Sequence, residues 1–145
     1  MERNESSIIS YAESYKVAAR KAIQFVLGQK DGLVPAWTNG HSIESDGEID
    51  DMLQTHGTCG FLLDRRTQRR FFSRLLPRDP RWFIGTLVFM NKEKGVSGKE
   101  WLFEVYGRQH VPLVREIAEN LSRQFDVGIH VRLDREDHQL EYLGW

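Results

Sequence analysis

The stretch Trp82-Phe83-Ile84-Gly85-Thr86-Leu87-Val88-Phe89-Met90 constrains this chain more than any other, because it is apolar on both sides of an extended strand. Taking alternate residues, Trp82, Ile84, Val88 and Met90 share one face, while Phe83, Leu87 and Phe89 share the other. Such a strand belongs in the middle of a sheet that is covered on both faces. The chain must supply or recruit that cover.

Two segments read as helices long enough to provide it. In 7–27, Ile8, Ala12, Tyr15, Ala19, Ala22, Ile23 and Val26 recur at helical spacing, and Gly28, Gly32 and Pro35 follow as stop signals. In 112–125, Pro112 suits a first helical turn, and Leu113, Val114, Ile117, Ala118, Leu121 and Phe125 form an apolar stripe. A shorter helix is expected over 46–55. There Ser45 and Glu48 have capping-box spacing, Ile49, Met52 and Leu53 make the buried side, and Gly57 ends it. Residues 30–47 show no sustained period and read as an ordered loop pinned by Val34 and Trp37.

Strand patterns occupy the remainder. Segments 59–64, 69–76, 82–91 and 101–108 follow one another with turn residues between them, which predicts an antiparallel meander. Val127, Ile129, Val131 and Leu133 alternate with smaller or polar residues, giving a fifth strand with one buried face, placed towards an open part of the sheet. Leu140 and Tyr142 suggest a sixth. The expected order is α-α-ββββ-α-ββ: a single α+β domain over residues 1–145, with a mainly antiparallel sheet and helices packed on it. The length fits one domain, and 40% hydrophobic residues are enough for one core.

Charge is uneven rather than large. The whole chain carries -1, which gives no general attraction to nucleic acid or membranes. Locally, Arg65, Arg66, Arg69, Arg70, Arg74, Arg78 and Arg81 stand against the single Asp79, a net +6 around one expected hairpin. Arginine's planar fork suits carboxylate and phosphate, and Phe71, Phe72 and Trp82 interleave with it. Glu44, Asp46, Glu48, Asp50 and Asp51 form an acidic counterpart, suited to a helix start, where negative charge favours the free amides. Arg108 and His110, just before Pro112, make a weaker anion-binding candidate at a helix N-terminus.

Catalytic signals are thin. His41, Glu44, Asp46 and His56 offer metal-ligating atoms, but in a loop without the fixed face that a helical HExxH motif provides. Cys59 lies three residues after His56, yet this spacing does not ensure a thiol–imidazole contact. Gly95-Val96-Ser97-Gly98 has the GxxG form of a KH loop, but it joins two strands rather than two helices. No Walker, Rossmann, GxSxG or kinase signature is present, so no cofactor, resident metal or catalytic residue is expected. One cysteine excludes an internal disulfide, no run of 18 apolar residues exists, and MERNESSIIS lacks a signal-peptide core, so a cytoplasmic protein without a membrane partner is expected.

The leading functional expectation is a non-catalytic binding module, an adaptor, inhibitor or regulatory subunit. It takes an acidic protein or other anionic partner through Arg65, Arg66, Arg69, Arg70, Arg74, Arg78, Arg81 and Phe72. The alternatives are a single-stranded RNA or DNA binder using the same hairpin, and a small metal-dependent enzyme centred on the loop from His41 to His56. A homodimer is expected through the sheet face bearing Phe72, Leu102 and Tyr106. The competing arrangement packs the first helix there through Tyr15, Ala19, Ala22 and Val26 and leaves a monomer.

Overall fold

The computed structural model describes residues 2–65 and 81–134. The expected strands at 69–76 and around Leu140 and Tyr142 lie outside these residues, as do Arg66, Arg69, Arg70, Arg74, Arg78, Phe71 and Phe72. The described chain runs α1 (Glu2–Leu27), β1 (Leu33–Ala36), α2 (Asp46–His56), β2 (Thr58–Asp64), β3 (Arg81–Val88), β4 (Glu100–Val105), a short 3-10 turn (Arg108–His110), α3 (Val111–Phe125) and β5 (Gly128–Leu133). It is an α+β fold, with a mostly antiparallel five-stranded sheet in the spatial order β1-β2-β3-β4-β5.

The structure corrects or completes the sequence reading in four places. β1 lies within the segment expected to be a loop; four residues including a proline are too few to show a period. β2 pairs directly with β3, from Thr58 opposite Val88 to Asp64 opposite Arg81, so no other strand stands between them, as the expected meander required. β4 and β5 are parallel, joined through α3, which crosses between them as parallel strands demand.

The fourth correction concerns the faces of β3. Phe61 pairs with Gly85, but Leu62 pairs with Phe83, which leaves Ile84 as an extra residue in a β-bulge. The bulge resets the alternation. Trp82, Ile84, Leu87 and Phe89 join the main core, while Val88 turns to the opposite face.

All three described helices contribute to that main core. α1 presents Ala19, Ala22, Ile23 and Val26, α2 presents Ile49, Met52 and Leu53, and α3 presents Val114, Ile117 and Leu121 to Cys59, Phe61, Leu63, Leu87 and Phe103. The first helix therefore does not cover the second sheet face. Part of that cover comes from the β3–β4 connection. Asn91 and Val96 exchange backbone hydrogen bonds of 2.7 and 2.9 Å, and Val96 packs on Val88 and Leu102 as a small second core. Leu102, expected at an interface, is buried there.

The capping box forms in half. Ser45 Oγ accepts from the Glu48 amide at 3.3 Å, but the Glu48 carboxylate takes the Trp37 indole N–H at 3.3 Å instead of reaching back. At the other end of α2, Gly57 closes the helix in the left-handed region (φ 66°), and its amide donates to Leu53 at 2.9 Å. A Cβ on Gly57 would sit 2.1 Å from the Met90 carbonyl oxygen, whereas one on Gly40, also at positive φ, would meet nothing within 4 Å. Gly57→Ala should therefore lower stability by about 3 kcal/mol or more, and Gly40→Ala by only about 1 kcal/mol, the strain alone. Urea unfolding of the two variants measures the difference.

Candidate functional site

The strand directions bring Arg65, Arg81, Arg108 and His110 to one end of the sheet. β2 ends at Asp64 opposite Arg81, where β3 begins, so Arg65 and Arg81 lie at the same end of the sheet. β4, antiparallel to β3, ends at Val105 on the same side, and Arg108 and His110 follow it into α3. Two segments that the sequence treats as separate anion-binding candidates thus meet.

Their contact is a stack of side chains. Arg65, the first residue after β2, is 2% exposed, and its guanidinium carbon lies 3.6 Å from the centroid of the Trp82 ring. His110 packs edge-to-face on the same indole, with centroids 5.1 Å apart. Trp82 comes from the start of β3 and points towards the core side, opposite Leu63. A guanidinium held on an indole away from water gains about 2 kcal/mol. Arg65 is accordingly an anchor of the fold at the point where the basic segment departs. Arg81, at the return point, donates from Nη1 to the Ser42 hydroxyl at 3.1 Å. Arg108 is exposed.

His110 brings no positive charge near neutral pH. Burial, and secondarily the charge of Arg65, pushes its pKa down to about 4, and among the described residues its Nε2 has no hydrogen-bond partner. It contributes a neutral ring at the head of α3, beside the exposed Arg108.

A second polar cluster, which the sequence reading missed, occupies the sheet face that no described helix covers. Glu104 is buried yet receives Lys94 from the β3–β4 connection and Arg132 from β5, the latter at 2.8 Å. Burial alone would raise its pKa, but the two cations hold the carboxyl below its ordinary value. The available signal was one acid inside the apolar strand Trp101-Leu102-Phe103-Glu104-Val105. Both of its cations satisfy it, so the cluster reads as a structural brace between strands.

The other candidates disperse. His41, Glu44, Asp46 and His56 are exposed, the His56 ring lies edge-to-face on Trp37, and no group of three or more His, Cys, Asp or Glu among the described residues is placed to hold a metal ion. Of the acidic residues, Asp50 pairs with Arg20 of α1 at 2.8 Å. Cys59 is buried, and burial pushes its thiol up to about 12, which leaves it protonated at neutral pH. No described helix is long and apolar enough to cross a membrane. Comparison with protein-family models, with curated proteins and with solved structures finds no match for this chain.

The buried histidine makes stability depend on pH. In the folded chain it takes a proton only near pH 4, against about 6.5 for an ordinary histidine, so between these values the unfolded chain binds more protons. Its contribution is complete above about pH 6.5 and is lost as pH falls towards 4, by up to about 3 kcal/mol. Urea unfolding at a series of pH values should show a shallower slope across that window for His110→Gln than for the natural chain.

Proposed function

We propose that this chain is a non-catalytic binding module that takes an acidic protein partner at the arginine end of its sheet, in a reducing, cytoplasmic setting. The observation that carries this reading is the convergence of Arg65 and the Arg108–His110 turn on Trp82. Arg65 and Arg81 are both tied to the fold at one end of the sheet, and the sequence between them carries five more arginines. Arginine placed this way is enriched at protein interfaces and matches carboxylates in pairs.

Single-stranded nucleic acid is the alternative occupant. It asks for aromatic faces open to bases, and the Trp82 ring already carries the Arg65 guanidinium and the His110 edge. That occupancy favours the protein partner. Phe71 and Phe72, on which a nucleic-acid reading would then rest, lie outside the described residues.

Replacing Arg66, Arg69, Arg70 and Arg74 together with Ser should abolish partner capture from native lysate, while changing stability by under about 0.5 kcal/mol per site. Arg65→Ala should behave differently, lowering stability by about 2 kcal/mol through loss of the stack. Capture that survives nuclease but not the quadruple substitution supports the acidic-protein reading. Capture lost to nuclease transfers the surface to nucleic acid. Full capture by the folded quadruple variant removes the surface altogether.

A further inference from the structure

We propose that the chain forms a two-fold dimer by antiparallel pairing of β5 with β5 of a second copy, continuing the sheet across both subunits. β5 pairs with β4 on one side, and among the described residues nothing hydrogen-bonds to its outer edge. An edge of this kind presents a row of free amide and carbonyl groups to any strand that can match it. Ile129 and Val131 are only half-buried, and Leu133 is 36% exposed. The apolar side of the strand is thus left partly open, beside a groove of about 430 Å³ between β5 and α3 lined by Ala118, Ile129 and Val131 and by the charged Arg115, Glu119 and Arg123.

The sequence of β5 is complementary to itself in one register. Paired about Val131, the strand sets Val131 against its own copy and Ile129 against the second copy's Leu133, so every side chain on the helix side meets an apolar one. On the other side His130 meets the second copy's Arg132. Each of these already has a carboxylate from its own β4, Glu100 at 3.0 Å from His130 and Glu104 at 2.8 Å from Arg132. A shift of two residues one way places Arg132 against its own copy, with like charges directly opposite. A shift the other way places His130 against itself and moves Leu133 out to Val127. A two-fold dimer, in which the same patch of each copy meets the other, is the commonest form of homo-oligomer. This pairing does not depend on the proposed function.

Sedimentation equilibrium in the micromolar range should give the mass of two chains, and Leu133→Lys should raise the dimer dissociation constant by at least about tenfold. Register is read by single cysteine substitutions under mild oxidation. Val131→Cys should cross-link two chains, while His130→Cys and Arg132→Cys should not, and the buried native Cys59 stays out of the reaction. If Leu133→Lys fails to fold by circular dichroism, the cross-linking result decides alone. A single-chain mass at every concentration overturns the proposal, and would mean that the edge is capped from within the chain. Cross-linking through position 130 or 132 in place of 131 also overturns it, as does a dimer unaffected by a folded Leu133→Lys variant.

Discussion

One extra residue in β3 governs which side chains this protein can bury. Ile84 has no opposite number on β2, and the alternation of the strand reverses across it. Because of that reversal, Trp82 and Ile84 before the bulge and Leu87 and Phe89 after it all reach the helix-covered core. Val88 is freed to pack under Val96 on the other face, and Thr86 lies opposite Glu104. Had the alternation run straight through, Leu87 and Phe89 would share a face with Phe83, and the three helices would lose two of their largest partners. Each core aromatic lost from such a place weakens a domain by about 3 kcal/mol or more. The bulge is thus the hinge of the whole packing scheme.

Given that arrangement, the charged residues divide into those that build and those left to interact. Arg65 spends its charge on an indole, Arg20 on Asp50, and Arg132 with Lys94 on a buried carboxylate. A carboxylate removed from water is strongly disfavoured without such partners, which explains why two elements far apart in the chain, the β3–β4 connection and β5, both send a cation to Glu104. The main core lies on one side of the sheet and this brace on the other, so the strands are held by apolar contact from above and by ion pairs from below.

Much of the architecture was legible from pattern alone. The three helices carry clear apolar stripes, Ser45 marks the start of α2, and Gly57 marks its end. The alternating residues of β5 pointed to an open part of the sheet, and β5 lies at its edge among the described strands. What escaped has physical reasons. A bulge inserts a residue without changing composition, so nothing in Trp82–Met90 distinguishes a straight strand from a stepped one. β1 is too short for a period. The burial of Arg65 depends on Trp82, 17 positions along the chain, and an arginine among arginines reads as surface. The parallel sense of β5 follows from the path of α3, which local periodicity does not encode.

The spatial order of the strands is also their order in the chain, and this has a consequence for biosynthesis. As the nascent polypeptide leaves the ribosome, each strand after β1 finds its neighbour already made, so the sheet grows by addition at one edge without threading. α1 is the exception. It is synthesised before all five described strands, yet Phe25 meets its partner ring on Phe125 only after α3 has emerged. Until then its apolar stripe lacks the wall that α3 provides, so a helix made before the strands it packs on is enclosed only after four of them. A chaperone that follows translation of this chain would meet that open stripe.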